Sequence, residues 1–273
     1  MTFERTPMLL GGRVPGQAVM EELIAVQSLA RPRTWLQRLF GSSPLSPESQ
    51  PWYKGALGEI AVGRILEQLG PEWLVLHAIP VGKGSTDIDH VLVGPAGVFT
   101  VNTKNHSGQP VWVAGRTLMV AGKKTRHLYN AAFEASRASK LLGAAVGTAV
   151  DVTPVVVVVD PKSLTIRSQP EQVVVVRDRQ LLQWLGRRRR ELGPSEMGRI
   201  AAAAVLASTW HRKPSPAGDP EALQHSFSEL RLLVEQARRR RAAWALSVPV
   251  TGLLMLANAG NMAAAIVQSL TGR

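Results

Sequence analysis

The stretch DIDHVLVGPAGVFTVNTK, residues 87–104, holds two β-rich runs around the four-residue turn GPAG. Runs of this kind flanking a Gly/Pro turn predict a hairpin. With Gly94 to Gly97 as the turn, Val93 faces Val98, and the steps outward set Asp89 opposite Asn102 and Asp87 opposite Lys104. Side chains alternate with period two, so these four polar residues share one face. A slip of one residue, or a bulge, would break the convergence.

Such a cluster suits one kind of chemistry. Hydrolysis of a phosphodiester needs a hard divalent cation held by oxygens, a positioned water, and positive charge near the developing oxyanion. Asp89 offers a carboxylate ligand, Asn102 a neutral amide oxygen, and Lys104 a charge to orient water or stabilise the oxyanion. Two positions before Lys104, where an acid-x-Lys strand end would carry a carboxylate, stands Asn102. On the preceding helix, Glu59 shares a face with Val62, Leu66 and Leu69 and is expected to point at the sheet. A carboxylate there is costly unless paired or metal-bound, and a salt bridge to Lys104 is the metal-free alternative.

Outward from the hairpin, WYKGALGEIAVGRILEQLG (52–70) is helical by period and stops at Gly70-Pro71. EWLVLHAIPV (72–81) reads as a strand, GKGST (82–86) as a loop, and PVWVAG with RTLMVAG as a second short hairpin. A helix is expected from about Tyr129 to Leu142. The runs PVVVVVD (154–160) and QVVVVRD (172–178) are apolar enough for strands covered on both faces. This order predicts an α/β sandwich. A helix is expected at 16–30, a Ser/Pro linker at 41–51, an alanine-rich helix at 195–208 and another linker at 211–220.

Charge and composition narrow the partners. The 273-residue chain has no cysteine, which excludes disulfides, thiolate zinc sites and a cysteine nucleophile. Its formal net charge is +12, concentrated in arginine blocks at 187–190 and 238–241. That balance favours polyanions, either nucleic acid or an anionic membrane surface. The block at 187–190 also fits a helix C-terminus by dipole complementarity. Residues 242–272 contain no charged side chain, so a C-terminal hydrophobic transmembrane helix is expected. In that reading Arg238, Arg239, Arg240 and Arg241 meet anionic lipid on the cytoplasmic side and Trp244 sits at the interface. Asn258, Asn261 and Pro249 argue for the alternative, a helix packed on a cytoplasmic body. No signal-peptide pattern opens the chain.

Other motifs carry less. VGKGST (81–86) lacks phosphate-loop spacing, since Lys83 is followed by glycine. His90, His106 and His127 show no metal-ligand spacing, though His106 stands near Lys104 as an accessory base or phosphate contact. GKKTRHLYN (122–130) offers phosphate-binding basic residues as a loop, and Asn130, Glu134 and Lys140 follow it on a helix that could face the sheet.

KGALGE on the first helix, DIDHVLVGPAGVFTV and NTKNHSG together resemble the nuclease-related domain (NERD) family, a branch of the PD-(D/E)XK nuclease-like superfamily, from about Trp52 to Asp160. The resemblance implies a restriction-endonuclease-like α/β core, a mixed central sheet flanked by helices, and Mg²⁺- or Mn²⁺-dependent cleavage of nucleic acid. Glu59 matches the helix acid, Asp89 the metal aspartate and Lys104 the lysine; Asn102 stands where the family pattern has an acid. The expected metal ligands are Asp89, Asn102 and Glu59, with Lys104 assisting attack by water. The expected organisation is an N-terminal segment (1–50), a nuclease-like domain with helical extension (51–210), a linker and basic helix (211–241) and a membrane anchor (242–270). The rival readings are a disarmed nucleic-acid-binding module of the same fold and a membrane-associated scaffold.

Overall fold

In the computed structural model, which describes residues 8–81, 87–211 and 218–271, the hairpin forms as its pattern predicts. Strands β2 (Asp87–Gly94) and β3 (Gly97–Asn105) pair antiparallel in the register Val93–Val98, Leu92–Phe99, Val91–Thr100, His90–Val101. Gly97 closes the turn at φ 118°, a conformation L side chains rarely adopt. The expected loop at 82–86 lies outside the described residues.

Strand β1 (Leu74–Pro80) pairs antiparallel with β2 on its other edge. Beyond Val101, β3 leaves β2 and continues against β7 (Val152–Val159), which runs parallel to it, and β9 (Val174–Arg177) adds a further parallel strand. The mixed central sheet therefore runs β1-β2-β3-β7-β9. The first valine run, β7, is an interior strand with apolar side chains on both faces, Val155 and Val157 meeting one set of helices and Val156 and Val158 the opposite layer. The second run, β9, forms the edge of the sheet.

One face is covered by α3 (Ser49–Leu66) and α5 (Leu181–Gly186), which bury Val62, Leu66, Leu181 and Leu185 against Phe99 and Val101. The other face takes α4 (His127–Val146), α6 (Pro194–Ala204) and α7 (Ala207–Trp210). Helix α4 approaches through small residues, with Ala131, Ala135 and Ala138 all buried. Arg187 is the C-cap residue of α5, its backbone N–H donating to Gln183 O at 3.2 Å.

The sequence reading is corrected in two respects. First, a second sheet exists, β6-β5-β4-β8, built from β4 (Pro110–Ala114), β5 (Thr117–Val120), β6 (Lys123–Thr125) and β8 (Ser163–Ser168). Part of the expected basic loop is thus strand. Strands β4 and β8 are parallel, like β3 and β7 from which they continue. The two segments stay bonded through the bend: His106 N–H donates to Val159 O at 3.3 Å, Gly108 N–H to Asp160 O at 3.1 Å, and Lys162 N–H to Gln109 O at 3.0 Å.

Second, among the described residues no helix is long and apolar enough to cross a membrane. In place of a separate basic helix and transmembrane anchor there is one continuous helix, α8 (Pro220–Thr271), of whose side chains beyond Ser247 only 258–260 and 267–269 are described. Its first half docks on α1 (Gln17–Ser28) and α3 through Phe227 and Leu230. Two of the four arginines expected at lipid, Arg240 and Arg241, instead bond to the protein. Arg241 donates to Gly41 O at 3.0 Å through Nη2, Arg240 to Arg38 O at 3.0 Å, and Trp244 to Leu39 O at 3.0 Å. These carbonyls lie in and just beyond the last turn of α2 (Trp35–Leu39), the negative end of its dipole, which attracts cations.

Candidate active site

The site opens where β2 and β3 part. The ladder stops at His90–Val101, and the next backbone donor, Thr103 N–H, is taken by Asp89 Oδ2 at 2.6 Å. A carboxylate thus replaces a strand carbonyl and props the two strands apart. Burial raises the Asp89 carboxyl, while Lys104 and the Thr103 N–H pull it down.

Asn102, on β3, is almost fully buried. Its amide donates to both carboxylate oxygens of Glu134 on α4, at 2.9 and 2.7 Å. Asn102 Oδ1 is buried without a hydrogen-bond partner among the described residues. Burial and the nearby Asp89 push Glu134 up to about 7. A carboxylate thus stands beside the position that lacks one, supplied by a different element. The sequence reading set Glu134, with Asn130 and Lys140, on a helix that could face the sheet, but did not count it among the site residues.

Glu59 comes from α3, where it is 6% exposed and makes no hydrogen bond or ion pair with the described residues. Burial first, then Asp89, raises its pKa well above the usual range, with Lys104 acting against them. Asn105 ties α3 to β3 by donating to Lys54 O at 2.8 Å, and Gly58 lets the two backbones approach. Lys104 lies within electrostatic reach of Glu59, Asp89 and Glu134, yet pairs directly with none among the described residues. Glu59, Asp89, Asn102 and Lys104 therefore converge, with Glu134 added.

Asp87 stays within electrostatic reach of Glu59 and Asp89 but takes its own partner. Its carboxylate faces Arg13 Nη2 at 3.8 Å, and burial raises it to about 6 despite that partner. The three histidines separate. His90 is fully buried with His77, Nδ1 to Nδ1 at 2.8 Å, whereas His106 and His127 face each other through Nε2 atoms 3.1 Å apart near Lys104.

Among the described residues no group of three or more His, Asp or Glu side chains is drawn together as a ready metal cage. Mg²⁺ does not require one, since it keeps several waters and takes one or two carboxylates. The unpartnered Asn102 Oδ1 and the buried carboxyls of Asp89 and Glu59 fit such a hard, hydrated ion.

Residues 54–159 match the family model described as the nuclease-related domain. The chain carries a NERD domain. It spans α3 through β7 and holds every site residue named above. The chain is also similar to an uncharacterized protein of Bacillus anthracis, 41% identical over 69 residues. That match covers 24% of this chain and 31% of the relative, so this chain spans about a third of the relative's length. No solved structure matches.

Proposed function

We propose that the NERD domain is a Mg²⁺-dependent phosphodiesterase acting on nucleic acid, with Mn²⁺ as a substitute ion. The observation that carries this is the cleft between β2 and β3, where Asp89, Asn102 and Lys104 meet Glu59 and Glu134. Bound there, the cation would supply a Lewis acid for the phosphate oxygens and lower the pKa of water. Asp89, Glu59 and the free Oδ1 of Asn102 would hold it. Glu134, near 7, is matched to neutral pH as a general base and takes the proton of the attacking water. The water oxygen bonds to phosphorus, the bond to the leaving oxygen breaks, and that oxygen takes a proton from solvent. Lys104 sets its charge beside the phosphate oxygens as negative charge builds.

A second reading is favoured by one specific feature: the neutral Asn102 satisfies Glu134 without any cation. Under it the domain binds nucleic acid and does not cut. Calorimetry with Mg²⁺ and cleavage of labelled DNA and RNA, on wild type, Asp89→Ala and Lys104→Ala, separates the two. The hydrolase reading expects Mg²⁺ binding lost in Asp89→Ala and cleavage lost by about a hundredfold or more in both variants. Cleavage that survives Asp89→Ala sinks the site, and metal binding seen only in Asn102→Asp gives the binding module.

A further inference from the structure

Helix α4 carries Glu134 into the cleft on one flank and leaves two large aromatic rings in solvent on its outer face. Tyr129 and Phe133 are 61% and 56% exposed, with nearly parallel rings (14°) and centroids 6.5 Å apart. The Arg126 guanidinium lies 4.9 Å from the Tyr129 ring centroid. Exposed aromatic surface of this size is unfavourable in water unless something covers it. Beside Tyr129, a cleft of about 380 Å³ runs along α4, lined by Arg116, Leu128, Ala132 and the stretch Pro170 to Val173. At 100° per residue, Arg137 and Arg126 lie between the Glu134 flank and Phe133, and Tyr129 lies beyond, toward that cleft.

We propose that this face is a base-stacking platform that leads single-stranded nucleic acid from the Asp89–Glu134 cleft over Phe133 and Tyr129 into the pocket beside Arg116. Parallel exposed rings flanked by guanidinium groups are what an unpaired strand requires. Each base offers a π-face to stack, and each phosphate meets a cation. Duplex DNA offers no such faces, because its bases are already stacked on each other. Lys123 and Lys124 on the exposed β6 edge add phosphate contacts beside Arg126. In the pocket, Glu171 and Gln172 give a base edge both an acceptor and an amide.

The proposal rests on the reading that the cleft serves nucleic acid, and it names the strand form. It is tested by binding without cutting. The full chain, in EDTA, is titrated into fluorescein-labelled oligothymidylate and into a duplex of equal length, and anisotropy is read. Wild type is expected to bind the single strand at least about tenfold more tightly than the duplex. The double variant Tyr129→Ala/Phe133→Ala is expected to lose about tenfold or more on the single strand and to change little on the duplex. The conservative Tyr129→Phe keeps single-strand binding, since stacking needs the ring. Equal affinity for the two forms overturns the proposal, as does unchanged single-strand affinity in the double variant or failure of wild type to bind either. Absence of cleavage alongside aromatic-dependent single-strand binding overturns only the hydrolase reading. Both rings are exposed, so circular dichroism of the variants is expected to match wild type.

Discussion

Asn102 and Glu134, 32 residues apart, form a two-pronged hydrogen bond in which one amide nitrogen serves both oxygens of one carboxylate. The pair closes the gap left by a missing acid on β3 with an acid from α4. Asn102→Asp would set two carboxylates against each other in a buried cleft. It is expected to destabilise the metal-free chain by about 1–3 kcal/mol, because the donor to Glu134 is lost. The same change adds a charged ligand, so Mg²⁺ affinity is expected to rise about tenfold and to recover the lost stability. Urea unfolding with and without Mg²⁺ reads both effects.

Gly58 has no room for a methyl group. A Cβ there would fall 2.9 Å from the Asn105 Cβ and 3.3 Å from the Thr103 methyl. Gly58→Ala is expected to push α3 off β3 at a cost of about 1–3 kcal/mol. Glu59 is the next residue, so Mg²⁺ binding is expected to weaken beyond what the loss of stability explains. Calorimetry below the unfolding transition checks this.

Two sets of groups tilt stability with pH in opposite directions. Glu134 releases its proton near 4.5 when unfolded and at about 7 when folded. The folded chain therefore binds the extra proton in that window, and its stability falls as pH rises through it. His77 and His127 are lowered by burial from 6.5 to about 4, so the unfolded chain takes up their protons first. Their contribution falls as pH drops from about 6.5 toward 4. Glu134→Gln is expected to lessen the first slope, to which the raised carboxyls of Asp87, Asp89 and Glu59 also contribute, and to leave the second. The variant therefore gains on wild type as pH climbs from about 4.5 to about 7. Chemical denaturation at stepped pH reads the difference.

Arg241 reaches Gly41 O through both Nε and Nη2, at 3.2 and 3.0 Å, and Gly41 itself sits at φ 71°. Arg241→Ala is expected to cost about 1 kcal/mol. It is expected to loosen the α2 segment from α8, with faster amide exchange and faster proteolysis at residues 34–41.

Much of this was legible before the fold. The GPAG turn and the valines beside it set the register, because a slip would have turned Val91, Val93 and Val98 to the wrong layer. The two valine runs, by lacking any polar face, pointed to strands of a parallel or mixed sheet between helices, and β7 and β9 are parallel neighbours. Strand β8 was not legible, since SLTIRS is mostly exposed or half-buried and its short alternation is weak against the background of a loop. Glu134 was legible as a residue that could face the sheet, but its pairing with Asn102 was not: helix period says which residues face a sheet but not which strand residue each one meets. The pairing of Asp87 with Arg13 was not legible because Arg13 comes from an N-terminal segment with no readable pattern. The arginines of 238–241 misled because a charged run beside an apolar one looks alike whether headgroups or helix-end carbonyls receive it.

The bend between the two sheets has a consequence for how relatives can diverge. β3 with β4 and β7 with β8 are two lengths of chain laid side by side and bonded on both sides of the turn at His106–Gln109 and Val159–Lys162. Lengthening one track alone would throw every downstream pair out of step. Insertions and deletions near residues 105–110 should therefore be rare unless matched near 159–163, and lineages are expected to gain or lose them together. The matched family segment stops at residue 159, inside this double track. Cutting the chain at that border would strip β4 of β8 and β7 of β9 and leave two bare edges to glue copies into aggregates.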